Sequence, residues 1–135
     1  MKNPVTAALG VIALANISEG CHANGIITRV AEGAITKGQI LKAGTAGNQV
    51  APCSELTDKG LFVALDDAAD GELVPCAVLG NYNGTVLVTA GVGGVAVGDT
   101  VSPIGTAVTS GLTVGRALTA ATEGNYIELA HKVCA

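Results

Sequence analysis

The feature that most limits how this sequence can fold is an internal repeat of glycine-rich blocks. The aligned blocks are 33–41 with 93–101, 49–51 with 107–109, and 64–74 with 117–127. The first pair shares the pattern Gly-x-apolar-x-x-Gly-polar-x-apolar, and the third pair shares Ala-Leu-x-x-Ala-x-acid-Gly-x-x-apolar. Three blocks that recur in the same order predict a duplicated structural unit. We place the two copies at approximately residues 31–80 and 91–130.

Both copies consist of short, β-branched segments between turn residues. Turn signals recur every eight to twelve residues or so, which is typical of a β-sandwich or barrel. We therefore predict an all-β protein, a compact barrel or sandwich of short antiparallel strands built from two repeated β units. Residues 21–135 form this β domain, and residues 1–20 form an extended N-terminal arm. Helix is expected only at residues 5–15 and in one turn at residues 54–59.

Three local motifs give more specific expectations. Pro75 lies inside an apolar segment and has no backbone N–H, which predicts an edge strand or a bulge. The pair Asn83-Gly84 is a strong signal for a tight hairpin. Ser54 is placed to cap a single turn that runs to Asp58.

Composition excludes several classes of function. The chain has only 7 Lys and Arg residues, a net charge of -4 and 2% aromatic residues. It therefore lacks the basic surface and the stacking platform of a nucleic-acid-binding domain. No apolar run approaches the roughly 18 to 20 residues that span a bilayer. The 49% apolar content comes mostly from Ala and Val, so a partner that adds buried area would help to stabilise the fold.

The cysteines and histidines do not form a recognisable site. The cysteines are Cys21, Cys53, Cys76 and Cys134. They could form two disulfides, but reduced thiols are favoured because the pattern is not disulfide-dense. There is no CxxC pair, and the spacing with His22 and His131 does not match a zinc site. We expect no metal, no cofactor and no Cys-His catalytic pair.

An acidic cluster in the first copy is the remaining candidate for chemistry. Its members are Asp66, Asp67, Asp70 and Glu72. Carboxylate oxygens are the ligands that Ca²⁺ prefers, but the spacing is not that of an EF-hand. The equivalent residues of the second copy are Thr119, Ala120, Glu123 and Asn125. Because a site built on a repeat would be expected to repeat, we favour a set of solvated turns over a cation site.

The motifs occur in an order found in a known family. They are the Gly-polar turns Lys37-Gly38-Gln39 and Val97-Gly98-Asp99, the Ala-Leu-x-x-Ala-x-x-Gly blocks, the strand pattern of residues 84–90, and the closing segments 114–118 and 126–129. Over residues 20–130 the chain resembles the small capsid cement or decoration proteins of tailed bacteriophages. The four cysteines and the longer N-terminal segment depart from that family pattern.

The resemblance implies a viral structural protein and not an enzyme. Such a protein binds the outer surface of an icosahedral head at junctions between major capsid protein subunits and stabilises the shell. The resemblance also implies a homo-oligomer, a trimer in preference to a dimer, located on the virion and assembled in the host cytoplasm. We expect the uncharged arm to contact the capsid or a neighbouring copy. The expected contact residues are Asn3, Pro4, Val5, Leu9, Val11, Ile12, Leu14 and Ile17.

Two other functions are compatible with the sequence. Lys2 followed by the apolar residues 5–15 imitates a short signal peptide, which would make the chain a secreted or surface-exposed bacterial β-domain, such as an adhesin module, with a cleaved N-terminal segment. A small enzyme that uses Cys and His is the third alternative.

Overall fold

The computed structural model describes residues 23–131 and confirms the all-β prediction. A short 3₁₀ turn at Ala23–Gly25 precedes ten strands. The strands are β1 (Ile26–Ala31), β2 (Ile40–Ala43), β3 (Gln49–Pro52), β4 (Phe62–Ala64), β5 (Leu73–Val78), β6 (Val86–Thr89), β7 (Thr100–Val101), β8 (Ala107–Val108), β9 (Gly115–Ala117) and β10 (Tyr126–Ala130). Within the described range, no helix has the length and apolarity needed to cross a bilayer.

The first five strands close into a barrel in the order β1-β3-β2-β4-β5. Four of the five pairs are antiparallel, while β1 runs parallel to β3 with Ala31 opposite Val50. One parallel pair is unavoidable here, because directions cannot alternate completely around a ring with an odd number of strands. The barrel is therefore closed by a pair of strands that are distant in sequence.

The last five strands form a sheet in the order β6-β10-β9-β7-β8. A single backbone bond connects the region after β6 to the region before β8, where the Gly91 N–H donates to the Gly105 carbonyl at 2.8 Å. The Glu32 N–H donates to the Val50 carbonyl at the same distance in the barrel. Gly105 therefore occupies in the second unit the position that Val50 occupies in the first.

The two units contain equivalent hydrogen bonds within their loops. Ile35 and Ala68 exchange both backbone hydrogen bonds, and Val95 and Ala121 do the same. The Gly38 N–H donates to the Ala64 carbonyl at 2.9 Å, and the Gly98 N–H donates to the Ala117 carbonyl at 2.8 Å. The loop before β2 therefore has the same hydrogen-bond pattern as the loop before β7.

The middle block of the repeat has a different register from the one in the sequence alignment. The alignment pairs Gln49 with Ala107, whereas the closing hydrogen bonds pair Val50 with Gly105. The β2-β3 hairpin spans residues 40–52, whereas the β7-β8 hairpin spans only residues 100–108. In the shorter hairpin the Ser102 N–H donates to the Thr106 carbonyl at 2.8 Å. Short apolar segments align equally well in several registers, so the pattern could not fix this pair.

Two apolar cores hold the molecule together. The barrel interior contains Ile27, Ala31, Ile35, Leu41, Val50, Ala64, Ala68, Val74 and Cys76. Ile40, Val63 and Ala77 form a row across the outer face of the barrel. The second sheet packs on that row through side chains such as Ile127 and Leu129. Since strand residues alternate between faces, the barrel supplies one core from its inside and part of the other from its outside.

The local predictions had mixed outcomes. Asn83-Gly84 does not form a hairpin, because it lies in the connection between β5 and β6, which do not pair. Pro75 is not on an edge strand, since β5 pairs on both sides. Its nitrogen faces Leu65, the residue that follows β4, where the ladder ends with the Leu65 N–H donating to the Pro75 carbonyl at 2.9 Å.

The predicted turn at residues 54–59 is capped from its other end. The Asp58 carboxylate, and not the Ser54 hydroxyl, accepts the N–H groups of Ser54 (2.8 Å) and Glu55 (3.0 Å). These hydrogen bonds, led by the one from Ser54, hold the pKa of the Asp58 carboxyl below its ordinary value, and the Lys42 ammonium at 3.2 Å adds to the effect.

Candidate interaction surface

The acidic residues of the first unit cap its loops. The Asp67 carboxylate accepts the Lys37 N–H at 2.7 Å, and the Asp70 carboxylate accepts the Gly33 N–H at 2.8 Å. Among residues 23–131, no group of three or more His, Cys, Asp or Glu side chains is arranged to hold a metal ion. The cluster singled out in the sequence therefore works as a set of loop caps.

The same positions in the second unit lack most of these caps. Ala120 stands where Asp67 stands in the first unit, so no carboxylate is available to accept the Val97 N–H. A cavity of about 880 Å³ lies at this place. It is lined by residues 93–96, Asp99, Ala107 and residues 120–123. An open depression therefore lies where the second unit lacks these caps.

Two further cavities continue this depression along β8. One of about 440 Å³ shares Asp99 and Ala107 with the first, and the next, of about 340 Å³, shares Val108 and Ser110 with the second. The last cavity is almost entirely apolar and is lined by Leu56, Thr57, Val108, Ser110, Gly111 and Leu112. The three together form a groove that reaches from the second unit to Leu56 of the first.

Charge is distributed very unevenly between the two units. Residues 23–78 contain eleven charged side chains, whereas residues 86–131 contain four, namely Asp99, Arg116, Glu123 and Glu128. We call residues 91–99 and 107–113 the neutral flank. Its one charged side chain, Asp99, accepts the Ala96 N–H at 2.9 Å within its own turn.

Apolar side chains project from the neutral flank where the first unit has lysines. Val97 occupies the position of Lys37 and is 68% exposed. Leu61 and Val114 are equivalent, because their N–H groups donate to the carbonyls of the equivalent residues Leu41 and Val101. Leu112 lies two residues before Val114, as Lys59 lies two residues before Leu61, so Leu112 occupies the position of Lys59. Val92 is 76% exposed. Solvent-facing apolar side chains grouped around a groove are typical of a surface that another protein covers.

His131 connects the end of β10 to the segment between the units. Its Nδ1 accepts the Gly80 N–H at 2.8 Å, and its Nε2 lies 2.7 Å from the Gly84 carbonyl. In the tautomer that matches these contacts, Nδ1 is the acceptor and the Nε2–H donates to the Gly84 carbonyl. No sequence pattern indicates this arrangement, because the partners of the ring are backbone groups 47 and 51 residues away.

The described cysteines have the environment of structural thiols. Cys53 and Cys76 are free. Burial is the main cause that raises the pKa of each thiol to about 11, and at Cys53 the Asp58 carboxylate contributes to the rise. A thiol with such a pKa is a poor nucleophile at neutral pH. His131 has both ring nitrogens engaged by backbone groups, so the structure does not bring it together with either thiol as a catalytic pair.

The arm residues expected to make contacts lie outside the described range. This applies to Asn3, Pro4, Val5, Leu9, Val11, Ile12, Leu14 and Ile17, and also to Cys21, His22 and Cys134. The neutral flank was not singled out in the sequence, although the absence of charged residues between Glu72 and Asp99 was visible there.

Comparison with solved structures finds the same fold in a phage protein. The N base of the head fiber gp8.5 of bacteriophage phi29 matches with a TM-score of 0.60 and 22% sequence identity, over 77% of this chain and 90% of that chain. No protein-family model matches the sequence, and no curated protein matches it either. At this identity the likeness shows a shared fold.

Proposed function

We propose that this chain is a structural protein of a tailed-phage virion. It binds the outer surface of the icosahedral head at junctions between major capsid protein subunits and stabilises the shell. The observation that carries this proposal is the fold shared with the base of a phage head fiber, over most of both chains. The order of turn and strand motifs, which resembles that of capsid cement proteins, supports the same role.

The energetics of the fold favour a protein that works in an assembly. Both cores are built from Val, Ala, Ile and Leu side chains, with no Trp anywhere in the sequence and one Phe. Apolar area removed from water contributes about 25 cal/mol per Å², so contact with a shell adds stability that large aromatic side chains supply in other domains. A groove bordered by exposed Val and Leu side chains offers such contact area.

The uncharged N-terminal segment is proposed to contact the shell or a neighbouring copy. Residues 3–18 contain no charged side chain and six apolar residues of the size of Val or larger, including Val11 and Ile12. We propose that the functional form is a homo-oligomer, a trimer in preference to a dimer. A non-enzymatic role agrees with the protonated thiols and with the engagement of both His131 nitrogens by the backbone.

Co-sedimentation of the full-length protein with purified, DNA-filled heads of the encoding phage tests this function. We expect saturable binding with a fixed number of copies per head. An Ile12→Asp variant should bind more weakly, because the introduced carboxylate must lose its water to enter an apolar contact. Ala34→Asp is the matched control, since Ala34 is an exposed residue in a first-unit loop. Protein that stays in the supernatant at every concentration would contradict the proposal.

A further inference from the structure

The barrel has an unpaired stretch of strand edge at the beginning of β1. This strand pairs with β5 along residues 26–30, but it pairs with β3 only at Val30 and Ala31. Residues 26–29 therefore have a strand neighbour on one side only. An unpaired edge of this kind offers its backbone N–H and C=O groups to another extended segment of chain.

The alternation of bonding directions along β1 shows which groups face the open side. The Val30 N–H donates to the Asn48 carbonyl at 2.8 Å, on the side of β3. Because bonding directions alternate along a strand, the N–H and C=O groups of Thr28 face the same side, before β3 begins. Among residues 23–131, the Thr28 carbonyl accepts a hydrogen bond from Nη1 of Arg29 at 2.9 Å, and no backbone group lies opposite its N–H.

The turn before β1 has the geometry that reverses a chain onto such an edge. Asn24 has a φ of 65° and a ψ of 2°, and Gly25 has a φ of 72°. Positive φ at two successive residues is the signature of a type I′ turn, which joins two antiparallel strands through a two-residue loop. Asn-Gly is the pair most favoured in this turn.

The turn and the open edge point to one side of β1. In a two-residue hairpin, the residues that flank the turn bond to each other, and here these are Ala23 and Ile26. Ile26 and Thr28 are two residues apart, so their backbone groups bond in the same direction. A hairpin through this turn therefore places its other strand on the open side of β1 and not on the side of β5.

We propose that residues 20–22 continue this hairpin as a strand that covers the open edge of β1, with Cys21 opposite Thr28. The Thr28 N–H then donates to the Cys21 carbonyl, and the Cys21 N–H donates to the Thr28 carbonyl. The pairing ends at Gly20, because the next residue of β1 on that side, Val30, already bonds to β3.

This strand sets the place where the N-terminal arm leaves the domain. Toward the N terminus from Gly20, the chain leaves beside Asn48, at the end of the barrel where the β2-β3 hairpin turns. Residues 3–18 then start from that end. The consequence for shell contact rests on the proposed function of the arm, whereas the hairpin strand does not.

Disulfide formation in the full-length protein tests the pairing. Partners in the hydrogen-bonded position of an antiparallel pair have Cα atoms about 5.5 Å apart, which is within the range that a disulfide bridges. Under mild oxidation with diamide, Thr28→Cys should form an intramolecular disulfide with Cys21, identified by peptide mapping. Leu73→Cys is the matched control, because Leu73 is 45% exposed but lies on β5, on the far side of β1.

Two variants of the turn test whether the hairpin brings the strands together. Asn24→Val places a β-branched residue at a φ of 65°, which is strained for such a side chain. In the Thr28→Cys protein it should slow formation of the disulfide by about fivefold or more. Asn24→Gly should leave the rate nearly unchanged, because glycine adopts this φ without strain. Circular dichroism should show that both variants remain folded.

Amide hydrogen exchange tests the same edge in the unmodified protein. The Thr28 N–H should exchange slowly, as does the Arg29 N–H, which faces β5. Each of three results would overturn the proposal: a Thr28 N–H that exchanges as fast as in an unstructured chain, no more disulfide in Thr28→Cys than in Leu73→Cys, or a disulfide that forms only between two molecules. The last result would assign the edge to a neighbouring copy. None of these measurements includes phage heads, so this proposal and the proposed function fail separately.

Discussion

Val97 occupies in the second unit the position that Lys37 occupies in the first. The two residues precede Gly38 and Gly98, whose N–H groups donate to the equivalent carbonyls of Ala64 and Ala117. The glycine bonds that follow the two residues are thus the same, but only the Lys37 N–H donates to a capping carboxylate, that of Asp67. The Lys37 side chain is charged and the Val97 side chain is apolar. The two units therefore share loop hydrogen bonds and differ in the side chains that their loops expose.

Gly105, whose carbonyl accepts the Gly91 N–H that closes the second unit, is expected to be sensitive to the addition of a side chain. It has a φ of +82°, and a Cβ at this position would lie 2.5 Å from the Thr89 carbonyl oxygen. Gly105→Ala should therefore lower the free energy of unfolding by about 2 to 4 kcal/mol. Gly47→Ala is the control, because a Cβ there meets nothing within 4 Å. Urea unfolding measures both, and equal effects would contradict this account of the closure.

Removal of the His131 ring should destabilise the connection between the units. His131→Ala leaves the Gly80 N–H and the Gly84 carbonyl without their partner and removes the contact with Tyr82, whose ring centroid lies 6.1 Å away. Two lost hydrogen bonds to partly buried groups should cost about 2 to 4 kcal/mol. Asn81→Ala, an exposed change in the same segment, should be nearly neutral. A loss below about 0.5 kcal/mol, the range of ordinary surface substitutions, would refute the role of the ring.

The thiols of the half-buried Cys53 and the buried Cys76 make the protein less stable in alkali. Cys53 and Cys76 ionise near pH 9.0 when exposed and at about 11 in the folded protein. The unfolded chain therefore loses protons that the folded protein keeps, so their contribution is complete below pH 9 and is lost as the pH rises to about 11. The double variant Cys53→Ala/Cys76→Ala should lose less stability than the wild type between neutral and alkaline pH. Parallel pH profiles of the two urea midpoints would argue against this effect.

The loop-cap role of the acidic cluster predicts a response to mutation and none to calcium. Asp67→Ala should cost about 1 kcal/mol, as loss of a capping carboxylate typically does. Glu123→Ala removes the same charge from the second unit, where no described N–H donates to that carboxylate, and should change stability little. Millimolar Ca²⁺ should leave the melting temperature of the wild type unchanged. A calcium-induced rise in the melting temperature of the wild type that is absent in Asp67→Ala would contradict the loop-cap role and support a cation site.

The sequence carried enough information for the fold class because turn chemistry is local. Gly38 and Gly98 have φ values of +89° and +87°, which glycine adopts without strain, and both were found from the repeat alone. The acid-Gly turn at Gly71 is equally local, with a φ of +84°. Signals of this kind fix where strands begin and end, and so indicate an all-β protein of two units.

Long-range arrangements were beyond what the sequence could predict. The parallel pairing of β1 with β3 depends on the number of strands in the ring, which no single segment specifies. Asn83-Gly84 has the composition of a hairpin but joins two units whose strands pair elsewhere. The groove became recognisable only when the structure placed Asp99, Leu112 and Leu56 along one row of cavities.

Cryo-electron microscopy of phage heads incubated with the full-length protein tests the central claim most directly. The account predicts discrete density on the outer surface, at junctions between major capsid protein subunits, into which a barrel and an adjoining five-stranded sheet can be fitted. Heads prepared without the protein should lack that density. Bare heads at saturating protein concentration, or density confined to the interior, would contradict it.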